Sequence, residues 1–261
     1  MGQDLAQTFA AARQVFEEVD EALGEQLSAT IFDGPDEDLR LTRNAQPALM
    51  AMSMAVIRVI EHESGQNFTE LAAAVAGHSL GEYSALAAAG AISLEDAARL
   101  LRLRGDAMQR AVPVGEGAMT ALLGADLALA EEIATEAAEA AAAAGDPASA
   151  EVCTLANDNA PGQVVLSGSK AAVDRAVALA GEKGVRKAVL LPVSAPFHCP
   201  LMAPAAEAMA TALAAVDIRP PLVPVFANVS ARPVREPDEI RDLLVRQVTA
   251  MVRWRECVTA M

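Results

Sequence analysis

Leu71-Ala72-Ala73-Ala74-Val75-Ala76-Gly77-His78-Ser79-Leu80-Gly81-Glu82-Tyr83-Ser84-Ala85-Leu86-Ala87-Ala88-Ala89-Gly90 is the stretch on which the fold turns. Residues 71–77 are small and apolar throughout, the composition of a short strand buried in a parallel sheet. Residues 82–89 read as a helix, and Gly90 ends it. Between them Gly77-His78-Ser79-Leu80-Gly81 forms a G-x-S-x-G pattern in the setting that gives it meaning, strand before and helix after. So sharp a turn needs small flanking residues, because its backbone is strained and neighbouring chain must approach closely. It lifts the Ser79 hydroxyl out of the sheet, toward the positive end of the following helix. The Leu80 N–H then faces the oxygen on which charge develops during acyl transfer. The alternative for the same residues is a strand-to-helix turn in which Ser79 only caps the helix.

Upstream of this turn, residues 4–23 predict one helix with Leu5, Phe9, Phe16 and Val19 among its apolar positions, stopped by Gly24. Asp33-Gly34-Pro35-Asp36 reads as a turn, and residues 46–61 as a mostly apolar helix whose methionines fill core. Residues 62–66 read as a polar loop. Downstream, Ser93 caps a helix reaching about Ala111, with Glu95 and Asp96 in the first turn where the dipole favours acids. Residues 118–123 read as a strand and 130–144 as an alanine-rich helix broken by Gly145-Asp146-Pro147. Strands follow at 152–156 and 164–166, joined by a loop over 157–162, then a helix at 171–182 and a strand at 185–191. That order, β-α-β-β-α-β, is the ferredoxin-like pattern. A helix at 201–215, a strand at 223–227 and a helix at 237–248 complete the chain. The expected fold class is α/β. A larger, α/β-hydrolase-like, parallel-sheet subdomain (1–116 and 194–261) carries an inserted, smaller ferredoxin-like subdomain (117–193).

Composition narrows the function. The chain has 261 residues, 53% apolar and 3% aromatic, so a large core of closely packed small residues can be buried. A net charge of −15 opposes non-specific nucleic-acid binding. No apolar run reaches the roughly 18–20 residues that span a bilayer, and residues 1–10 lack the basic-then-apolar order of a signal peptide. Cys153, Cys199 and Cys257 form no CxxC pair, so neither a metal site nor a disulfide framework is expected, and a reducing cytoplasm fits.

A serine nucleophile needs a base. The chain has three histidines. His62 sits among charged residues and His78 adjoins the nucleophile inside the turn. His198 lies in the irregular segment Pro192-Val193-Ser194-Ala195-Pro196-Phe197-His198-Cys199-Pro200, between a strand and a helix, where catalytic groups are often held. By elimination His198 is the base; the alternative is a buried structural histidine.

At this point a resemblance enters. Residues 77–86, Gln46-Pro47-Ala48-Leu49, Asn159-Ala160-Pro161-Gly162-Gln163-Val164-Val165, Val193-Ser194-Ala195-Pro196-Phe197-His198 and Val245-Arg246-Gln247 together resemble the malonyl-CoA:acyl carrier protein transacylases of bacterial fatty acid synthesis. The resemblance runs along nearly the whole chain with the motifs in order. It implies an S-malonyltransferase that moves malonyl from malonyl-CoA to the phosphopantetheine thiol of acyl carrier protein, through a malonyl-serine intermediate on a Ser79–His198 dyad. It assigns Arg104 to the malonyl carboxylate, which a planar guanidinium grips with two parallel hydrogen bonds. It assigns the Gln247 backbone carbonyl to orienting the histidine. Gln46 becomes a pocket residue, Phe197 a malonyl-type pocket residue, and His78 a supporting or substrate-lining residue. No metal and no cofactor is implied, and the partners are acyl carrier protein and malonyl-CoA, with no nucleic acid, no membrane and a monomeric enzyme. Arg99, Arg102, Arg110, Arg186, Lys187, Arg253 and Arg255 are candidates for a basic landing patch that an acidic carrier protein would need.

Family members open with a strand and a Gly-Gln-Gly-Ser-Gln turn that supplies a second oxyanion N–H, and close with a further strand and a Gly-Pro-Gly turn. This sequence begins at Met1-Gly2-Gln3 and stops at Met261 without them. It therefore reads as truncated at both ends. The alternatives are a serine esterase or thioesterase on the same dyad, and an inactive truncated acyltransferase.

Overall fold

The computed structural model describes residues 1–143 and 151–261. The expected break at Gly145-Asp146-Pro147, with Ala144 before it, lies outside the described residues.

The chain opens with helices α1 (Gln3–Thr8), α2 (Ala10–Leu23), α3 (Leu27–Asp33), α4 (Asp36–Arg40), α5 (Thr42–Ser64) and the single turn α6 (Phe68–Leu71). Strand β1 (Val75–Ala76) leads into α7 (Gly81–Ala88) and α8 (Leu94–Ala111). Then come β2 (Gly117–Leu123), α9 (Leu127–Ala143), β3 (Cys153–Ala160), β4 (Gln163–Ser169), α10 (Lys170–Glu182) and β5 (Lys187–Leu190). A 3-10 turn (Pro200–Met202), α11 (Ala203–Ala214), β6 (Val225–Ala227), β7 (Arg232–Val234), α12 (Pro237–Gln247) and α13 (Trp254–Ala260) follow.

Two sheets organise these elements. One has the order β1-β6-β7, with β1 parallel to β6 (Val75 beside Val225) and β7 antiparallel. The other is antiparallel in the order β3-β4-β2-β5, the ferredoxin-like arrangement, with α9 and α10 packed over it. The architecture is thus mixed α/β, a parallel-containing sheet wrapped in helices and a separate antiparallel unit. The larger body of buried residues is helical, drawn from α2, α5, α7, α8, α11 and α12. A second cluster lies in the antiparallel unit, from Leu122 to Val185.

Several sequence expectations shift. The helix expected over 4–23 breaks at Phe9, which is extended (φ −119°, ψ 120°). The buried residues of α2 are Ala12, Val15, Phe16 and Val19, and that of α1 is Ala6. On one straight helix Ala6 would sit roughly a third of a turn from the centre of the α2 face, so both faces reach the core only if the axis bends. The helix expected over 46–61 runs from Thr42 to Ser64, so His62 belongs to its last turn rather than to a loop. Of the strand expected over 71–77 only Val75–Ala76 pairs, and Leu71 belongs instead to the helical turn Phe68–Leu71, where the Glu70 side chain accepts from the Asn67 N–H at 3.1 Å.

The loop expected over 157–162 is also corrected. Asn157, Asp158, Asn159 and Ala160 continue β3, and only Pro161 and Gly162 turn the chain into β4. Polar residues of this kind signal loops when nothing else satisfies them. Here the register slips twice, between Leu155 and Asn157 and between Asp158 and Ala160. The segment around Val252 docks alongside: Asp158 N–H donates to Val252 C=O at 2.9 Å and Arg255 grips the Asp158 carboxylate.

One interface matters for the site. Pro47 sits inside α5 and has no N–H, which leaves the Arg43 carbonyl without its helical donor. Arg102 Nη1 of α8 donates to that carbonyl at 2.8 Å. Gly105 lies beside it, and a Cβ there would come within 2.6 Å of the Thr42 oxygen and the Arg43 Cα. A missing donor and a missing side chain together bring α8 onto α5, and Arg104 points inward between them.

Candidate active site

Ser79 sits at the tip of the turn between β1 and α7 with φ 53°, a left-handed conformation costly for a residue with a Cβ. The turn is tight enough that a Cβ on Gly77 would lie 1.8 Å from the Gly81 carbonyl oxygen, so only glycine fits at 77. Gly81 is different: a Cβ there meets nothing within 4 Å. The expectation that both flanking positions must be small thus holds for one of them only. Backbone bonds from Gly81 N–H to His78 C=O (2.9 Å) and Glu82 N–H to Ser79 C=O (3.0 Å) wind the turn into the helix. The Leu80 N–H, at the head of α7, has no acceptor among the described residues.

His198 follows β5 in the irregular segment and is also left-handed, with φ 59°. Its Nε2 lies 2.8 Å from Ser79 Oγ and its Nδ1 lies 2.8 Å from the Gln247 backbone oxygen. A carbonyl can only accept, so Nδ1 carries the hydrogen and Nε2 offers its lone pair to the serine. Burial, reinforced by the Arg104 charge, pushes His198 down to about 3, against the opposing pull of the Gln247 carbonyl. The imidazole is therefore neutral at pH 7 and able to accept a proton.

Arg104 is 1% exposed. Its Nη1 donates to Gln46 Oε1 at 2.7 Å, and its Nη2 donates to Ser79 Oγ and to Gln247 Oε1, each at 3.0 Å. Its Nε has no partner, and among the described residues the guanidinium makes no ion pair. A buried cation whose hydrogen bonds go to amides and a hydroxyl, with the Tyr83 ring at 5.9 Å, lacks the paired counter-charge that burial ordinarily demands. Burial lowers its pKa, opposed by the neighbouring Tyr83 and Glu82. Gln46 is held in turn by Thr42 Oγ1, to which its Nε2 donates at 3.0 Å.

His78 points away from Ser79 Oγ. Its Nε2 lies 2.8 Å from Asn159 Oδ1 on β3, and its ring meets Trp254 edge-on at 5.6 Å between centroids. It thereby ties the turn to the antiparallel unit. Phe197 is half-buried and walls a groove of 440 Å³ with Thr42, Ala45, Pro192 and Val193. His62 is remote from the site, exposed beside Glu63.

A family model described as an acyl transferase domain matches residues 1–261. A malonyl CoA-acyl carrier protein transacylase of Bacillus subtilis (strain 168) is 44% identical over 260 residues, covering 99% of this chain and 77% of the relative. The chain belongs to the malonyl CoA-acyl carrier protein transacylase family. The crystal structure of an acyl-carrier-protein-S-malonyltransferase from Bartonella henselae is 56% identical with a TM-score of 0.92, covering 100% of this chain and 79% of that one. A malonyl-transacylase solved in complex with a type II PKS acyl-carrier protein is 40% identical with a TM-score of 0.91, covering 100% of this chain and 80% of that one.

In this malonyl CoA-acyl carrier protein transacylase, the candidate basic residues differ in how far they are already paired or buried. Arg102 is 9% exposed and bonds Glu25 at 2.8 Å. Arg255 and Arg253 are held by Asp158 and Glu256, each at 2.6 Å, and Arg99 lies 3.6 Å from Asp96. Arg110, Arg186 and Lys187 make no ion pair among the described residues. Sequence reasoning did not single out Asn159, Trp254, Asn228 or Glu82. Asn159 stood inside a quoted motif and Glu82 directly follows the turn, but nothing in their spacing showed what they touch. Among the described residues no helix is long and apolar enough to cross a membrane.

Proposed function

We propose that this chain transfers a malonyl group from malonyl-CoA to the phosphopantetheine thiol of acyl carrier protein, through an ester on Ser79. The observation that carries the reading is Arg104, a fully buried cation that makes no ion pair among the described residues, one hydrogen bond from the nucleophile. The carboxyl carbon of a malonyl group lies two bonds from the carbonyl carbon that Ser79 attacks, so a guanidinium there is within reach of it. An acetyl group would leave Arg104 unpaired.

In the first half-reaction His198 Nε2 takes the Ser79 proton while Oγ attacks the thioester carbonyl. The Leu80 N–H receives the developing oxyanion. The C–S bond breaks, His198 returns the proton to the departing sulfur, and coenzyme A leaves as a thiol. In the second half the carrier thiol gives its proton to His198 and its sulfur attacks the ester. The Ser79 oxygen leaves and recovers the proton. The Gln247 carbonyl holds the imidazole in the required tautomer, Gln46 steadies Arg104, and Phe197 limits the room beside the acyl group. Side chains, two backbone groups and the two thiols account for every step, so the mechanism calls on no cofactor. Three buried free thiols, Cys153, Cys199 and Cys257, suit the reducing cytoplasm. We also take residues 117–193 as an inserted subdomain, because the second buried cluster falls within them.

Intact-protein mass spectrometry after mixing with malonyl-CoA tests the reading. The expected result is one malonyl adduct, on Ser79, discharged by acyl carrier protein faster than by water. The Ser79→Ala variant should form none and lose at least about 1000-fold in transfer rate. Transfer by that variant at a near-normal rate would exclude the proposal, and discharge to water alone would make the enzyme a hydrolase.

A further inference from the structure

The strained turn has a rear support that the mechanism above does not use. Strands β1 and β6 run parallel, and the residue after each strand lies at the same edge: Gly77 after β1, Asn228 after β6. Asn228 is fully buried, and its amide spans the turn. Its Oδ1 accepts from the Ser79 N–H at 2.7 Å while its Nδ2 donates to the Gly77 C=O at 2.8 Å. Neither group pairs within the ladder, so without Asn228 each would lose its only hydrogen-bond partner among the described residues.

Glu82, 2% exposed on the first turn of α7, stands behind Asn228. A single oxygen, Oε2, accepts from the Asn228 backbone N–H at 3.0 Å and from Gln247 Nε2 at 2.7 Å. The second bond, the shortest that Gln247 Nε2 makes, helps set which way the Gln247 amide faces. With Nε2 drawn toward Glu82, and toward the Ser79 carbonyl at 3.1 Å, Oε1 is left facing Arg104. An amide turned the other way would present N–H groups to a guanidinium that can only donate.

We propose that Asn228 and Glu82 are positioning residues for acyl transfer: Asn228 holds the nucleophile's backbone in its left-handed conformation, and Glu82 orients the Gln247 amide that aims Arg104. This rests on the function proposed above. Neither residue touches the reacting atoms. Their effect passes through Ser79 and Arg104, where displacements on the order of 1 Å cost up to about 100-fold in rate.

The test measures formation of the malonyl and acetyl adducts on Ser79 by rapid-quench mass spectrometry, on protein shown to be folded by its thermal melt. Asn228→Ala, and the isosteric Asn228→Asp that sets an oxygen against the Gly77 carbonyl, should lower the acylation rate constant roughly 10- to 100-fold at saturating malonyl-CoA. KM should change less than about threefold, since substrate contacts are untouched. Glu82→Ala should lower the preference for malonyl over acetyl about tenfold, and Glu82→Gln, whose amide oxygen can take the same two donors, should restore most of it. Folded Asn228 variants that acylate at the wild-type rate would overturn the proposal. So would a Glu82→Gln variant no better than Glu82→Ala, or a preference for malonyl unmoved in both. Wild-type enzyme that takes up no malonyl would instead sink the underlying function, and this proposal with it.

Discussion

At the scale of single residues, two groups meet one hydroxyl and differ in charge, a neutral imidazole and a guanidinium. Ser79 Oγ gives its hydrogen toward His198 and accepts one from Arg104, so under the proposed mechanism the bond that takes its proton and the bond that favours the alkoxide would act together. In the proposed reaction Arg104 also sets substrate choice. A charge-assisted pair to a carboxylate is worth about 1.5–3 kcal/mol. We therefore expect Arg104→Ala to cut the ratio of kcat/KM for malonyl-CoA over acetyl-CoA roughly 10- to 100-fold. Arg104→Lys should fall between, because a point charge keeps the attraction and loses the two-pronged geometry. Steady-state kinetics with both thioesters decide it; an unchanged ratio would remove Arg104 from recognition. Of these residues, the sequence pattern pairs Ser79 with His198, through a turn motif and the scarcity of histidines. Arg104 is not legible that way. Arg99, Arg102 and Arg110 share its helix, and only the seating of Gly105 on the Thr42–Arg43 backbone decides which arginine is buried beside Ser79.

At the scale of elements, local signals survived where the chain itself satisfied them. Ser93 caps α8 by accepting from the Asp96 N–H at 3.0 Å, as its position foretold. The β-α-β-β-α-β order was readable because each strand and helix carried its own period. The hairpin at Pro161-Gly162 was not, since Asn157 and Asp158 find their partners on a segment almost a hundred residues away. Phase decided the Phe9 break, which no window of apolar spacing registers. The turn before α7 yields a contrast between two glycines that look alike in the motif. Gly77→Ala places a carbon 1.8 Å from a backbone oxygen that cannot move without unwinding α7, so little folded protein is expected. Gly81→Ala meets open space in a helical position, where the same change commonly stabilises by about 0.4–1 kcal/mol. Soluble yield and thermal melts of the two variants compare them directly. Equal tolerance at both positions would mean that the close approach at Gly77 does not constrain the turn.

At the scale of the whole molecule, two buried groups with opposite leanings shape stability against pH. Burial pushes His198 down to about 3 from 6.5, so between those values the unfolded chain binds the extra proton and stability rises with pH. Glu82 goes the other way. Burial raises it from 4.5 to about 7, against its bonds from Asn228 and Gln247 and the Arg104 charge. Between 4.5 and 7 the folded protein therefore binds the extra proton, and stability falls as pH rises. Across the shared window the two slopes cancel. Below it the His198 loss stands alone, and above it so does the Glu82 loss. Ionising a carboxyl raised that far costs on the order of 3 kcal/mol, a sizeable part of a domain's margin. Glu82→Gln removes that titration and leaves His198 in place. Relative to the wild type, the variant should therefore gain stability from about pH 4.5 to about pH 7 and level off above that, read as the difference between their urea midpoints at each pH. Surface carboxylates and histidines common to both proteins drop out of that difference. A gap between the two that stays constant with pH would show that Glu82 holds its proton, or its charge, equally in the folded and unfolded chain, and that the carboxyl beneath the nucleophile is no more costly to ionise than one in water.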